Sequence, residues 1–87
     1  MEWPSIIEDA TSILESKVGL KAALSLLNGY CIHYCSISGK PYPSIDIFKI
    51  ESDIMKEHGN TMIARQKFLY VYIDILDKHM FSDVCTT

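Results

Sequence analysis

The sequence predicts an all-α fold, a compact four-helix bundle built around a long, mostly buried C-terminal helix. Three observations lead there. Apolar residues recur at three- and four-residue steps along most of the chain, the spacing of one face of a helix that turns once every ~3.6 residues. Proline and every glycine except Gly29, residues that interrupt helices, stand near the ends of those stretches. The longest uninterrupted stretch, Asn60 to Phe81, has so wide an apolar face that several neighbours must cover it. In it Gln66, Lys67, Tyr70, Asp74, Asp77 and Lys78 share one sector of the helical wheel, and Phe68, Leu69, Val71, Tyr72, Ile73, Ile75, Leu76 and Met80 fill most of the rest. The aromatic and branched residues from Phe68 to Ile75 also suit a strand. A buried strand, however, ends after about 4 to 8 residues, and no Gly or Pro stops this run.

The first helix is expected over 4–17. Pro4 suits a first turn, and Ser5-Ile6-Ile7-Glu8 fits a capping box, in which two side chains satisfy two orphan backbone N–H groups. Ile6, Ile7, Ala10, Ile13, Leu14 and Val18 form its apolar stripe, and Glu8, Asp9, Ser12 and Glu15 face away. Trp3 precedes the cap, placed either to staple onto the helix or to anchor a partner. Gly19 separates this helix from a second over 20–36, whose stripe is Ala23, Leu24, Leu27, Cys31 and Tyr34, with Ile32 apolar on the polar side.

Ser36 to Pro43 cannot continue a helix, because two prolines remove N–H donors and push the preceding residues toward extended backbone. Tyr42, held between Pro41 and Pro43, is either a contact residue or a lid on the core. Ser44 is the expected cap of a third helix over 44–58, with Ile47, Ile50 and Ile54 as its stripe and Phe48 and Met55 flanking. Gly59 ends it and Asn60 caps the fourth helix over 60–81; so short a link makes the two an antiparallel hairpin. The whole chain reads as a single helical domain over 1–87, with 83–87 a frayed tail.

Composition narrows the class of function. The 87 residues are 48% hydrophobic and 22% charged with a net charge of −3, the profile of an ordinary globule. No run approaches the ~20 apolar residues of a membrane span, and the start MEWPSIIEDA has acids where a signal peptide needs Lys or Arg. An intracellular, cytoplasmic protein with reduced thiols is expected, since three cysteines form no even framework. Cys31 and Cys35 share a helical face, but His33 points away from them, and neither Cys85 nor His79 completes a zinc spacing. No pair of residues marks a cysteine nucleophile and its base, and Gly39-Lys40-Pro41 lacks the glycines of a phosphate loop. Neither a metal, a cofactor nor catalysis is expected.

Charge is unevenly spread. Glu2, Glu8, Asp9 and Glu15 occupy residues 1–16 with no Lys or Arg, whereas Lys17, Lys21 and Lys40 stand in 17–43 with no acid. The expectation is a small protein-interaction module of the inhibitor, immunity or adaptor kind, which regulates a basic protein partner. Glu8, Asp9 and Glu15 would steer it and Trp3 or Tyr42 anchor it. In length and helix count the chain is similar to bacteriocin immunity proteins, a likeness of fold class alone. A homodimer is expected too, to cover the apolar fourth helix. Arg65 lies on that helix's apolar side, so its guanidinium is expected either to snorkel past the helix start or to meet a carboxylate such as Glu51, Glu8 or Glu15. The alternative function is a dimeric helix-turn-helix regulator, in which Asn60, Arg65, Gln66 and Lys67 at the start of the fourth helix read DNA. The apolar remainder of that helix argues against it.

Overall fold

The computed structural model describes residues 2–81, which form four α-helices and no strand: α1 (Trp3–Ser12), α2 (Lys17–Ser38), α3 (Ile47–His58) and α4 (Met62–Phe81). Residues 83–87, the expected tail, lie outside the described residues. None of the described helices is long and apolar enough to cross a membrane.

Helix ends fall where a side chain or a turn satisfies orphan backbone groups, and several differ from expectation. α1 begins at Trp3, so Ser5 is already inside the helix and the Ser5–Glu8 capping box does not form. Packing sets this start. The Trp3 ring lies 5.1 Å from Tyr30 and 6.4 Å from Phe81, and its Nε1 donates to Asp77 Oδ1 at 3.0 Å. With 6% of its surface exposed, Trp3 belongs to the core and is not a free anchor. α1 stops at Ser12, which puts Ile13, Leu14 and Glu15 in a turn.

Ser16 caps α2 by accepting from the Gly19 N–H at 3.1 Å. Gly19 is thus within the first turn of α2 and not between helices. It is needed for a different reason: the Ile13 carbonyl oxygen occupies the place a Cβ would take. α2 then runs to Ser38, where Gly39 adopts φ 73° and the Lys40 N–H donates to the Cys35 carbonyl at 3.1 Å, a stop that requires left-handed backbone. Asp46, not Ser44, caps α3, its carboxylate accepting from the Lys49 N–H at 3.1 Å. Thr61, not Asn60, serves α4: its hydroxyl accepts from the Ala64 N–H at 3.2 Å and donates to the His58 carbonyl.

The core joins one face of each helix: Trp3, Ile6 and Ala10 of α1; Leu20, Ala23, Leu27, Cys31 and Cys35 of α2; Ile54 of α3; Ala64, Phe68, Leu69, Tyr72, Leu76 and Met80 of α4. α4 packs against all three other helices, whereas α3 packs against α4 alone. α4 is nevertheless not mostly buried. Ile63 and Tyr70 are 63% and 57% exposed, and the longest helix is α2. The molecule measures 38 × 27 × 16 Å, and with helices spaced about 8–10 Å apart its short dimension holds at most two layers. Every helix therefore keeps a solvent side.

Two glycines of α2 make opposite predictions. Around Gly29 a Cβ would meet nothing within 4 Å, so Gly29→Ala should stabilise the fold by about 0.5–1 kcal/mol through helix propensity. Gly19→Ala gains the same propensity but drives a methyl into a backbone carbonyl, and should lower stability by more than about 1 kcal/mol. Thermal melts should then move in opposite directions, by roughly 4–8 °C per kcal/mol. Equal shifts would contradict the close approach at Gly19.

Candidate functional site

α2 and α3 both rest on α4, but their backbones do not pack directly against each other. The connection between them, Gly39 to Asp46, is drawn onto the C-terminal end of α4. Lys40 Nζ donates to the Met80 carbonyl at 2.7 Å, and His79 Nε2 lies 2.6 Å from the Pro41 carbonyl. Tyr42 then lies beside Tyr72, whose hydroxyl donates to Asn28 Oδ1 at 3.0 Å, so the loop closes that half of the molecule. Tyr42 itself is 45% exposed, both a partial lid and a partial surface.

The other half stays open. Between the start of α2 and α3 runs a groove of about 360 Å³, with Lys17, Leu20, Lys21 and Leu24 on one side, Ile47, Phe48 and Glu51 on the other, and Phe68 of α4 beneath. That volume lies in the range of roughly 300–1,000 Å³ typical of binding pockets. A smaller hollow of about 60 Å³, bordered by Ile54, Met55, Asn60, Ala64 and Arg65, continues it toward the start of α4. Phe48 stands on the rim with 84% of its surface exposed, the most exposed large apolar side chain among the described residues. Its place on the flanking stripe of α3 predicts packing on the core; the structure turns it outward. Six residues from Ile54, it sits about 120° away around the helix at ~100° per residue. That offset is the signal in the sequence that separates Phe48 from the core stripe.

The electrostatics of the groove are lopsided. Lys17 and Lys21 form no ion pair among the described residues, where the pairs are Glu57 with His58 and Lys67, and Asp74 with Lys78. Glu51 is the acid on the groove side of α3; Asp53, about 200° further round the helix, faces away. Arg65 adds positive charge at the far end, though not through the carboxylate partner expected for it. Its Nη2 donates to the main-chain carbonyl of Glu15 at 3.1 Å and lies 3.8 Å from Met62 Sδ, while its buried Nε finds no acceptor. The guanidinium therefore ties α4 to the turn between α1 and α2.

Other expected site residues are dispersed. Glu8 and Asp9 are exposed on α1 and unpaired among the described residues, but Glu15 has left the helix for the turn. Tyr42 is not beside them: α1 packs on the Tyr30 side of α2 through Trp3, and Tyr72, next to Tyr42, bonds to Asn28, about 200° round that helix from Tyr30. The DNA-reading alternative is dispersed as well. Asn60, Gln66 and Lys67 are exposed, but Arg65 is drawn back to Glu15 and Lys67 reaches Glu57 at 3.7 Å.

Cys31 and Cys35 lie buried with their sulfurs 3.9 Å apart, and His33 is exposed away from them. Cys85 lies outside the described residues. Burial, reinforced by the neighbouring Cys35, pushes the Cys31 thiol from 9.0 up to about 12, which withholds the reactive thiolate. Burial also raises Tyr72, and the nearby Tyr42 adds to it. Both groups stay neutral in the fold but ionise earlier in the unfolded chain; the contribution of Cys31 is present below about pH 9 and is lost as pH climbs toward about 12, and that of Tyr72 begins to fade only above its ordinary 10.0. Melting temperature should accordingly fall across that window, and less steeply in Cys31→Ala; a flat profile to pH 12 would contradict the burial of these groups. Against protein families, curated proteins and solved structures, the chain shows no significant match.

Proposed function

We propose that this chain is a small protein-interaction module that regulates or inhibits a macromolecular partner, docking it in the groove between α2 and α3. The observation that carries this reading is Phe48, an aromatic side chain held 84% exposed on the rim of an uncovered apolar groove. Apolar surface left open in this way marks interaction sites, and aromatic anchors supply much of the affinity at interfaces. Glu8 and Asp9 on α1 form a separate acidic face that steers a basic region of the partner and raises the association rate. With Trp3 in the core and Tyr42 on another side, that face has no aromatic of its own. The groove therefore carries the binding.

A photo-reactive residue in place of Phe48 tests this in cells that express the chain, with Ile32, exposed on α2 opposite the core, as the control position. Adducts with one distinct protein should form from position 48 and not from position 32, and Phe48→Asp should weaken that complex by about 2 kcal/mol or more, near 30-fold. Equal labelling from both positions would remove the groove from consideration. Adducts only with a second copy would make it a dimer interface, and nucleic acid retained through Arg65, Gln66 and Lys67 would favour the helix-turn-helix alternative.

A further inference from the structure

The shape and charge of the groove narrow the occupant, on the docking reading above. We propose that it receives an amphipathic helix whose apolar stripe is flanked by acidic residues.

Shape points to a helix. α2 and α3 lie on α4 without packing backbone to backbone, so the space between them is a channel with two helical walls, Leu20 at the foot of one, and Phe68 as its floor. Ridges of helical side chains fill such spaces, entering as anchors at i, i+3 or i+4, and i+7. On α3 the lining residues of the two hollows run from Ile47 to Met55, about 12 Å, so the channel takes roughly two turns of a guest helix. Phe48 at the rim can fold over such a helix once it is seated.

Charge selects the flanks. Lys17 and Lys21 are one turn apart on the α2 wall, exposed and unpaired among the described residues, and Arg65 stands at the end of the channel. Glu51 is the one acid among the residues lining either hollow. A basic helix would bring like charges against both lysines, whereas acids flanking the apolar stripe would meet them. A phosphate backbone would gain the lysines but leave Phe48, Leu24 and Ile47 against a charged surface.

The described chain itself offers no such helix. α1 is acidic and amphipathic, but Trp3, Ile6 and Ala10 of its apolar face are already buried in its own core. The occupant proposed is a segment of another protein.

Two synthetic peptides with the same leucine stripe, one flanked by glutamates and one by lysines, provide the probe. Each is about 18 residues, long enough to keep some helix in water. Titrated into the isotopically labelled full chain at physiological salt, the glutamate peptide should shift the amide signals of Lys17, Leu24, Phe48 and Glu51, and bind at least roughly 10-fold more tightly than the lysine peptide. The doubly reversed variant Lys17→Glu, Lys21→Glu should invert that preference, and Phe48→Ala should weaken both peptides by about 10-fold or more. All three positions are exposed, and far-UV circular dichroism checks that each variant is folded. Equal affinity for the two peptides, or a preference that survives charge reversal, overturns the acidic partner while leaving docking in the groove intact. If neither peptide moves the groove signals, both readings fail. A dimer in sedimentation that Phe48→Asp dissolves would assign the groove to a second copy and overturn the proposal.

Discussion

Because α3 packs on no helix but α4, and α2, which carries most of the packing of α1, also packs on it, α2 and α3 are joined through one apolar stripe: Ala64, Phe68, Leu69, Tyr72, Leu76 and Met80. These residues recur at three- and four-residue steps and are almost fully buried. Truncating a fully buried leucine such as Leu69 or Leu76 removes contacts to more than one neighbour, and such losses cost about 2–5 kcal/mol, a large part of the stability of a domain this small. The rest of α4 faces water because a body of two helix layers has no third layer to cover it.

Polar contacts complement this stripe by fixing how each element meets α4. Trp3 reaches Asp77, Arg65 reaches the Glu15 carbonyl, Lys40 reaches the Met80 carbonyl and Tyr72 reaches Asn28. Each links α4 to a different part of the chain. Lys40 also places a positive charge at the C-terminal end of α4, where the helix dipole favours it. The ion pairs Glu57–Lys67 and Asp74–Lys78, by contrast, are largely exposed, and pairs of that kind contribute about 0–1 kcal/mol.

These tethers also explain why the molecule is closed on one side and open on the other. The Gly39–Asp46 connection is pinned to the end of α4, so Tyr42 covers the part of the core nearest Tyr72, Cys31 and Cys35. α3 begins only after that, returns over the first half of α4 and does not pack its backbone against α2. The groove is what remains between them. Its apolar floor comes from residues that also stabilise the fold, Leu20 and Phe68, whereas its rim residues Lys17, Lys21 and Phe48 are exposed. Rim and fold can therefore be altered separately.

The amino-acid sequence alone determined the helical class, the four helices and most of the core, because periodic burial is written locally: Ile6 and Ala10, Ala23 and Leu27, Phe68 and Tyr72 each lie one turn apart on a buried face. Helix ends were legible only to within a few residues. Ser5 and Glu8 spell a capping box, but Trp3, held by Tyr30, Phe81 and Asp77 far along the chain, starts α1 earlier. The site was less legible still. The offset of Phe48 from Ile54 around the helix separates it from the core stripe, but that no helix backbone packs over it, which leaves it exposed, is decided by the spacing of α2 and α3. Arg65 calls for a partner, but that the partner is a backbone carbonyl at Glu15 depends on where the turn after α1 comes to rest. Periodicity records which residues of one helix are buried together; which helices meet, and what space they leave between them, is settled by contacts between residues distant in sequence, and tertiary structure alone decides those.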